Sequence, residues 1–378
     1  MSLKEELEVL RGCPIHMYDC EPMDIPCIET SDPERLCKKP VVSVHMITYN
    51  HEPYIRQAIE GVMMQKTDFE FELVIGEDCS KDRTREICLE FQKKYPDKIR
   101  VLWWHENVSK HGGNGRRVLA HCRGEFDAYC EGDDYWVDPN KLQKQVNLMR
   151  QYPNAGICFG AIRFYYQSSG KVWAPSKRVL RRGVQRGEDF VKSILLSQSL
   201  HGRRILQTSG NLIRKSVMVK ARKLYEIFSW KLLIGDTLGW LAYASISDVC
   251  YLPDIVSTYR INAGGVTQRR FSEIMRDDLT VRIYFCMKTL GMSFHDAALA
   301  QEKSIVRMVV NSAAIKTPQE QRAYAVTKID ANPLIREFFS RLYARPLYLL
   351  MKIGLLKPRL AFWLNRIYWY MPRFGVFK

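Results

Sequence analysis

Between residues 40 and 140, short apolar runs alternate with segments of helical periodicity. The apolar runs are VVSVHMIT (41–48), FELVIGE (71–77), IRVLWW (99–104) and FDAYCE (126–131). Their β-branched content predicts strands, whereas residues 82–95 carry apolar side chains at the spacing of an amphipathic helix. Strands that alternate with helices favour a mostly parallel sheet with helices on both faces. We therefore expect an α/β fold.

A cluster of polar residues directly follows three of these runs. The clusters are Thr48-Tyr49-Asn50 with Glu52, Glu77-Asp78, and Glu131-Gly132-Asp133-Asp134. Because ligands of an open α/β sheet bind beyond the carboxyl ends of its strands, we expect the clusters to meet along one edge. Each cluster alone is a weak indication, since Asp and Asn favour turns for backbone reasons.

Closely spaced carboxylates repel each other unless a cation or a proton offsets their charge. Hard oxygen ligands suit Mg²⁺ or Mn²⁺, which proteins often share with a substrate phosphate. Arg116 and Arg117, after the glycine-rich turn at 112–115, are placed to help bind that phosphate. The chain has neither a G-x-x-x-x-G-K-[ST] loop nor a G-x-G-x-x-G opening its first strand–helix unit. These residues indicate a metal-dependent enzyme that acts on a phosphate-bearing nucleotide.

The first 39 residues are rich in proline, and we expect an irregular arm there. Cys13, Cys20, Cys27 and Cys37 lie in it with His16, at gaps wider than the close pairs of structural zinc sites. A packed arm with reduced thiols is therefore favoured over a metal site. Asn50 and Pro53 predict the start of the first helix, with Asn50 as its N-cap.

Charge and cysteine content limit the environment of the chain. It has 57 Lys and Arg against 41 Asp and Glu, a net charge of +16, which predicts an anionic partner. No apolar run approaches the roughly 18 residues of a membrane-spanning helix. The 11 cysteines, without a signal peptide, indicate reduced thiols in the cytoplasm.

Three separate segments together resemble one known family. In order along the chain they are VSVHMITYNHEPYIRQAIEG, ELVIGEDCSKDRT and GNGRRVLAHCRGEFDAYCEGDDYWVDPNKLQKQV. They resemble the family 2 glycosyltransferases of GT-A fold, and are similar to bacterial members that build cell-surface polysaccharides. The resemblance covers about residues 40–270. It implies a nucleotide-binding half (40–136), an acceptor half (137–270) and a helical C-terminal region (271–378) outside the match.

The resemblance implies inverting transfer of a sugar from a nucleoside-diphosphate sugar, with uridine the commonest base, to an acceptor hydroxyl. The residues expected beside the nucleotide are Thr48, Tyr49, Asn50, Glu52, Asp78, Asn114 and Arg117. Asp78 would hold the base. Glu131-Gly132-Asp133 stands where the family has its D-x-D motif, with Glu131 directed towards the ribose. Asp133 and Asp134 are both candidate ligands for Mn²⁺ or Mg²⁺.

Two further positions come from the same resemblance. Asp236 stands at the start of a downstream helix, where the family places its catalytic Asp, although after Gly235 it also suits a helix N-cap. Asn262 stands where the family often has a His that helps bind the metal or the diphosphate. Tyr135 and Trp136, after the acids, are candidates either to stack on an acceptor sugar or to pack beneath the loop.

The last 45 residues are basic and aromatic, with nine Lys and Arg against Glu337 alone. A solvated helical face, a nucleic-acid arm and a membrane-surface anchor all fit this composition. The family resemblance implies a transferase whose acceptor is a lipid-linked saccharide, and such an acceptor favours the membrane-surface anchor. The chain would then dock on the anionic inner face of the cytoplasmic membrane. Two other functions stay open: a metal-dependent nucleotidyltransferase, and a nucleic-acid-binding protein whose strand-end acids would repel phosphate.

Overall fold

A computed structural model of the chain describes residues 26–111, 113–174, 183–196, 206–226, 236–262, 265, 271–301 and 318–319. Its strands are β1 (Ile28–Thr30), β2 (Val42–Thr48), β3 (Phe71–Glu77), β4 (Ile99–Trp103), β5 (Phe126–Tyr129), β6 (Tyr135–Trp136), β7 (Ala155–Tyr166), β8 (Lys171–Trp173), β9 (Gly183–Gln185), β10 (Asn211–Arg214) and β11 (Asp248–Ile261). Its α-helices are α1 (Ile55–Met63), α2 (Thr84–Lys94), α3 (Asn114–His121), α4 (Lys141–Gln151), α5 (Gly187–Leu196), α6 (Lys215–Glu226), α7 (Asp236–Ala244), α8 (Phe271–Leu290) and α9 (Phe294–Ala300). Short 3₁₀ helices occupy Val108–His111 and Thr208–Gly210.

These strands form one mixed sheet in the order β1-β4-β3-β2-β5-β10-β7-β11-β6, with β8 on β7 and β9 on β11. The ladders of β2 with β3 and β5, of β3 with β4, and of β7 with β11 are parallel. Strand β10 is antiparallel to both β5 and β7 and joins the two parallel blocks. The expected α/β sheet is confirmed. It is continuous through both expected halves, 40–136 and 137–270.

Alternate residues of the central strands are buried on opposite faces. On β2, Val42, Val44 and Met46 belong to the main core, which the helices α1, α2 and α4 also line. A second, smaller core contains Val74 of β3 and Val118 of α3. Both faces of the sheet are therefore covered, which explains why the first strands read as nearly continuous apolar runs.

A buried charged network lies on the second face. The Glu72 carboxylate is 1% exposed and accepts hydrogen bonds from Ser43 Oγ (2.6 Å), Arg123 Nη2 (2.6 Å) and Arg100 Nη1 (3.3 Å). Arg100 also donates to both carboxylate oxygens of Glu29, at 2.8 and 2.9 Å. Glu29 belongs to β1, which pairs antiparallel with β4. The prediction of an irregular arm over residues 1–39 is therefore wrong at Ile28–Thr30, where these ion pairs attach a strand to the edge of the sheet.

The first helix begins later than the sequence predicts. Asn50 has a positive φ of 53°, and α1 starts at Ile55 after Tyr54, which makes no side-chain cap. The N-cap assignment to Asn50 is wrong. Asn tolerates the left-handed conformation, so the chain turns sharply at Asn50 before it enters the helix.

Several expectations fall outside the residues that the structure describes. They concern the basic, aromatic segment 334–378 and the N-terminal Cys13, His16 and Cys20. Within the described part of the chain, Cys27 and Cys37 are free thiols. None of the helices described there is both long enough and apolar enough to cross a membrane.

Candidate active site

The three polar clusters that follow β2, β3 and β5 meet at one edge of the sheet. Thr48 is paired with Glu77 at the ends of β2 and β3, and Asp78 N donates to Thr48 O at 3.0 Å. Gly132 N donates to Ile47 O at 3.0 Å, which draws the turn after β5 to the same place. The geometric prediction from parallel strand ends is therefore confirmed.

Gly132 lies at the point of closest approach between this turn and β2. A Cβ atom there would lie 2.8 Å from Thr48 Oγ1 and 2.9 Å from His51 Nδ1. A larger residue would push the turn off the sheet, so glycine is required for steric reasons. The close packing of Gly132 against β2 therefore fixes the backbone from which Asp133 and Asp134 extend.

Asp134 is buried and accepts hydrogen bonds on both carboxylate oxygens. Ser209 Oγ donates to Oδ2 at 2.6 Å, and the backbone N of Arg260 donates to Oδ1 at 2.9 Å. Burial raises the pKa of Asp134 well above its usual value, and the charge of Asp133 adds to this. Because both oxygens face protein donors, the structure argues against Asp134 as a metal ligand. It fastens the acid turn to the 3₁₀ turn before β10 and to β11.

Asp133 is half-buried and lies beside the residue that replaces the family's frequent His. Asn262 Nδ2 donates to Asp133 Oδ2 at 3.2 Å. Within the described residues, no group of three or more His, Cys, Asp or Glu side chains forms a closed metal cage. The oxygen donors present fit an ion bound through Asp133 and completed by substrate phosphates and water, as Mg²⁺ and Mn²⁺ often are.

Glu131 and Asp236 come together although they are distant in sequence. Burial raises the pKa of Glu131 well above its usual value, and the charges of Asp236, Asp133 and Asp134 raise it further. Asp236 is the first residue of α7, and burial raises its pKa while a hydrogen bond from Thr208 lowers it. Thr208 and Ser209 are neighbours in a 3₁₀ turn, and Ser209 Oγ also accepts from Glu131 N at 3.1 Å.

Asp78 organises the loop that follows β4. Its buried carboxylate accepts from the backbone N of Val108 at 2.6 Å and from both the backbone N and the Oγ of Ser109. Burial raises the pKa of Asp78, against the lowering effect of these bonds. The base-binding role of Asp78 stays a prediction. What its carboxylate does in the structure is hold the loop at Val108 and Ser109 in place.

Asn50 and Glu52 hold the loop after β3. Asn50 Oδ1 accepts from Lys81 N at 2.8 Å, and Glu52 Oε2 accepts from Arg83 N at 3.1 Å. Tyr49, between the strand and this turn, is 39% exposed. Asn50 and Glu52 therefore hold the loop after β3 in place, while Tyr49 is partly exposed to solvent, and the nucleotide-binding roles of all three stay predictions.

Asn114 and Arg117 lie on α3, beside the end of β3. Asn114 is buried and donates through Nδ2 to Gly76 O at 2.7 Å. Its Oδ1 has no hydrogen-bond partner within the described residues, and the same is true of Thr48 Oγ1. Both unpaired oxygens belong to residues that we expected beside the nucleotide.

The expected acceptor role of Trp136 is wrong. Its ring is 2% exposed in the main core, its Nε1 donates to Ser209 O at 2.8 Å, and Lys141 Nζ lies 4.0 Å from the ring centroid. A ring covered on all sides has no face left for a sugar. Tyr135 is half-buried, with the Arg260 guanidinium 5.1 Å from its ring centroid, and its acceptor role stays a prediction.

Sequence reasoning missed three residues of the site. Ser209 and Arg260 bond the acid turn, and His51 has a buried Nδ1 without a hydrogen-bond partner in the described part of the chain. Arg260 lies two residues before Asn262, which the family resemblance singles out, so its position was a usable indication. Ser209 has no comparable sequence pattern around it.

Comparisons with known proteins agree with this arrangement. The model of the family described as glycosyl transferase family 2 matches residues 43–218. An uncharacterized protein of Mycobacterium tuberculosis is 31% identical over 232 residues, 61% of this chain and 62% of that protein. The match thus spans about three-fifths of that relative's length.

Another relative, which is named for an enzymatic activity, matches over nearly all of its own length. It is the UDP-Glc:alpha-D-GlcNAc-diphosphoundecaprenol beta-1,3-glucosyltransferase of Escherichia coli, 32% identical over 271 residues, 68% of this chain and 95% of that protein. Among solved structures, S. aureus TarS 1-349 in complex with UDP-GlcNAc has a TM-score of 0.54 at 17% identity, covering 86% of this chain and 91% of that one. At this identity the structural likeness shows a shared fold, that of the GT-A glycosyltransferases.

Proposed function

We propose, because the chain belongs to glycosyl transferase family 2, that it moves a sugar from a nucleoside-diphosphate sugar to an acceptor hydroxyl with inversion. The observation that carries this proposal is the meeting of Glu131, Asp133 and Asp236 at the edge where β2, β3 and β5 end. Acids from such different parts of the chain repel one another, and a bound cation would offset that cost.

On the donor side, Asp78 binds the base, and Asn114 and Arg117 lie beside the nucleotide. Tyr49 covers the nucleotide from the solvent side. Glu131 accepts a hydrogen bond from the ribose. Asp133 would hold Mn²⁺ or Mg²⁺, which when bound neutralises charge on the leaving diphosphate. UDP is the proposed leaving group, since the E. coli relative is named for a UDP-linked donor.

On the acceptor side, Asp236 takes the proton from the attacking hydroxyl. Burial raises the pKa of Asp236 above its usual value. A carboxylate with a raised pKa is a stronger base and still ionises near neutral pH when the shift is moderate. Its position opposite the diphosphate would give attack from the face that inverts the anomeric carbon.

The acceptor we propose is a lipid-linked saccharide used in bacterial cell-surface polysaccharide synthesis. The E. coli relative is named for a diphosphoundecaprenol-linked acceptor, and a Bacillus subtilis relative, 33% identical over 113 residues, is named as a putative teichuronic acid biosynthesis glycosyltransferase. An acceptor of that kind would bring the chain to the inner face of the cytoplasmic membrane. The net charge of +16 would favour an anionic surface.

Thermal unfolding with UDP, GDP, CMP or ADP, each with and without Mn²⁺, tests the donor site. A ligand that binds only the folded state raises the unfolding midpoint by mass action. We expect one nucleoside diphosphate, UDP, to do so only with metal, and Asp133→Asn to abolish the shift. Asp254→Asn is the matched control, since Asp254 lies on β11 and pairs with Lys144 at 3.1 Å.

The released product separates this function from nucleotidyl transfer. A glycosyltransferase given its UDP-sugar releases UDP, whereas a nucleotidyltransferase releases pyrophosphate. No midpoint shift with any nucleotide, together with salt-sensitive binding to nucleic acid, would contradict the proposed function.

A further inference from the structure

Arg260, near the end of β11, bonds both acids of the site through its own backbone and side chain. Its guanidinium Nε donates to the carbonyl oxygen of Asp133 at 2.9 Å. Its backbone N donates to Asp134 Oδ1, also at 2.9 Å. One residue thus bonds the backbone of Asp133 and the side-chain carboxylate of Asp134.

The guanidinium is itself held from several directions. Arg260 is 8% exposed, and the centroids of three tyrosine rings lie 4.9, 5.1 and 5.6 Å from its Cζ. The rings are those of Tyr54, Tyr135 and Tyr165. Nη2 donates to Gln57 Oε1 at 2.6 Å, and Nη1 donates to Gln167 Oε1 at 3.0 Å. The side chain therefore has one geometry, fixed by α1, β6, the end of β7 and the acid turn.

The energetics of this burial point to a role beyond stability. Within the described residues, the side-chain hydrogen bonds of Arg260 go to amide and carbonyl oxygens and none goes to a carboxylate. Its charge lowers the pKa of the neighbouring Asp134, but it makes no direct ion pair there. Burying a guanidinium in this way is costly, and an apolar side chain of similar volume would be a cheaper way to fill the space. What an apolar side chain would lack is the directed bond to Asp133 O.

The same strand end also sets the rotation of the Asp133 carboxylate. Asn262, two residues after Arg260, donates to Asp133 Oδ2 at 3.2 Å. The Arg260 bonds fix where the backbone of Asp133 lies, and the Asn262 bond fixes which way its carboxylate turns. Groups that orient a metal-binding residue in this way typically change metal affinity or activity about 10- to 100-fold when they are removed.

We propose that Arg260 is a positioning residue that holds the Asp133 backbone so that the Asp133 carboxylate faces the cation and diphosphate of the donor. This rests on the proposed function, because it assumes that Asp133 meets a cation bound with the nucleotide. It goes beyond that function because it gives a role to Arg260, a residue that in this role contacts neither the donor nor the acceptor.

The test compares Arg260→Lys with Arg163→Lys in the full chain. Arg163 is half-buried on β7 and donates through Nε to Thr258 Oγ1 at 2.8 Å, so it is a matched arginine that joins β7 to β11 without touching the acid turn. The readout is binding of Mn²⁺ in the presence of UDP, followed by electron paramagnetic resonance of the free ion, which needs no turnover. Unfolding midpoints are measured alongside.

We expect Arg260→Lys to bind Mn²⁺ with UDP about 10- to 100-fold more weakly, and Arg163→Lys to bind as the unaltered chain does. In turnover with the UDP-sugar, kcat should fall for Arg260→Lys at saturating metal, since the loss is one of geometry. Equal Mn²⁺ binding by Arg260→Lys and the unaltered chain would overturn the proposal while leaving the proposed function intact. No Mn²⁺ binding by the unaltered chain with any nucleotide would overturn both.

A second variant decides the matter if Arg260→Lys does not fold. The double substitution Gln57→Ala and Gln167→Ala keeps Arg260 and removes two exposed amides that hold its guanidinium. We expect weaker Mn²⁺ binding than in the unaltered chain with little change in the unfolding midpoint. Unchanged binding in a folded double variant would overturn the positioning role.

Discussion

Glu72 lies on β3 and Glu131 follows β5, and their surroundings change their acidity in opposite directions. Burial alone would raise the pKa of Glu72, but hydrogen bonds from Arg123 and Ser43 and the charge of Arg100 hold it below its usual value. Burial raises the pKa of Glu131 well above its usual value, and the charge of Asp236 raises it further. One carboxylate is surrounded by cations and the other by acids.

The difference separates a polar region that holds the fold from one suited to binding. The Glu72 network joins β1, β3 and β4, and each of its charges has a partner of opposite sign. At the acid edge, the carboxylates depend on neutral donors such as Ser209 and Asn262. Uncompensated acids destabilise the fold unless a cation binds, so we expect substitutions in the two regions to affect different measurements.

The largest expected effect is on activity, in Asp236→Asn. Loss of the base should lower kcat by about 10²- to 10⁴-fold. The unfolding midpoint should stay the same or rise, because the substitution removes a charge that repels Glu131. Turnover of a UDP-sugar and thermal unfolding measure the two effects. Asp254→Asn should change neither by a comparable amount, and a stable Asp236→Asn protein with full kcat would contradict the assignment.

The next effect is on stability, in Glu72→Gln. Removing one partner of a buried ion pair typically costs about 3–5 kcal/mol, because it leaves the other charge buried and unpaired. Arg100 and Arg123 would both lose their shared acceptor. Urea unfolding should show this loss, while kcat of the folded fraction at low temperature stays near that of the unaltered chain. A loss below about 1 kcal/mol would show that the network contributes little.

A pH-dependent effect is expected at Asp127, which is buried on β5. Neither of its carboxylate oxygens accepts a hydrogen bond from an N–H or O–H group in the described part of the chain, although a hydrogen bond from the Cys122 thiol lowers its pKa. Burial raises the pKa of Asp127 to about 7, against the lowering charge of Lys215, and the charge of Glu72 adds to the rise. Because the folded pKa exceeds the unfolded one, the stabilisation is complete below about pH 4 and is lost as the pH rises to about 7.

The comparison with Asp127→Asn isolates this group from the other titrating residues. Between pH 5 and pH 8, the unaltered chain should lose about 2–3 kcal/mol of unfolding free energy relative to the Asn variant. Urea unfolding at several pH values measures the difference. A difference that stays constant over this range would mean that Asp127 is already ionised at pH 5.

The smallest effect is expected from the surface pair of Arg56 and Glu90. Their side chains are 52% and 51% exposed and lie 3.0 Å apart. Exposed pairs contribute about 0.2–1 kcal/mol, so Glu90→Gln should barely change the free energy of unfolding measured in urea. High salt should make this small effect smaller still. It is also the matched control for Glu72→Gln. If Glu90→Gln lost as much unfolding free energy as Glu72→Gln, burial would not explain the difference between the two ion pairs.

Much of the fold was predictable because it depends on local pattern. The apolar runs of β2, β3, β4 and β5 and the polar residues after them predicted a parallel sheet with a site at one edge. The short strand β1 was missed, because three residues between prolines carry no periodicity. The start of α1 was misplaced, because the left-handed turn at Asn50 depends on contacts with residues 80–83.

The residue types alone predicted that acids, a glycine and an amide lie at one edge of the sheet and bind a nucleotide. The family resemblance then assigned a role to each of them. The sequence could not separate Asp133 from Asp134, since adjacent acids differ only in what they face. The fold distinguishes their surroundings: Ser209 and the backbone of Arg260 each bond one oxygen of Asp134, while Asp133 stays half-buried. The partners of Asp134 come from the 3₁₀ turn before β10 and from β11, more than 70 residues away. Bonds between such distant segments exist only when the sheet has formed, so only the tertiary structure decides them.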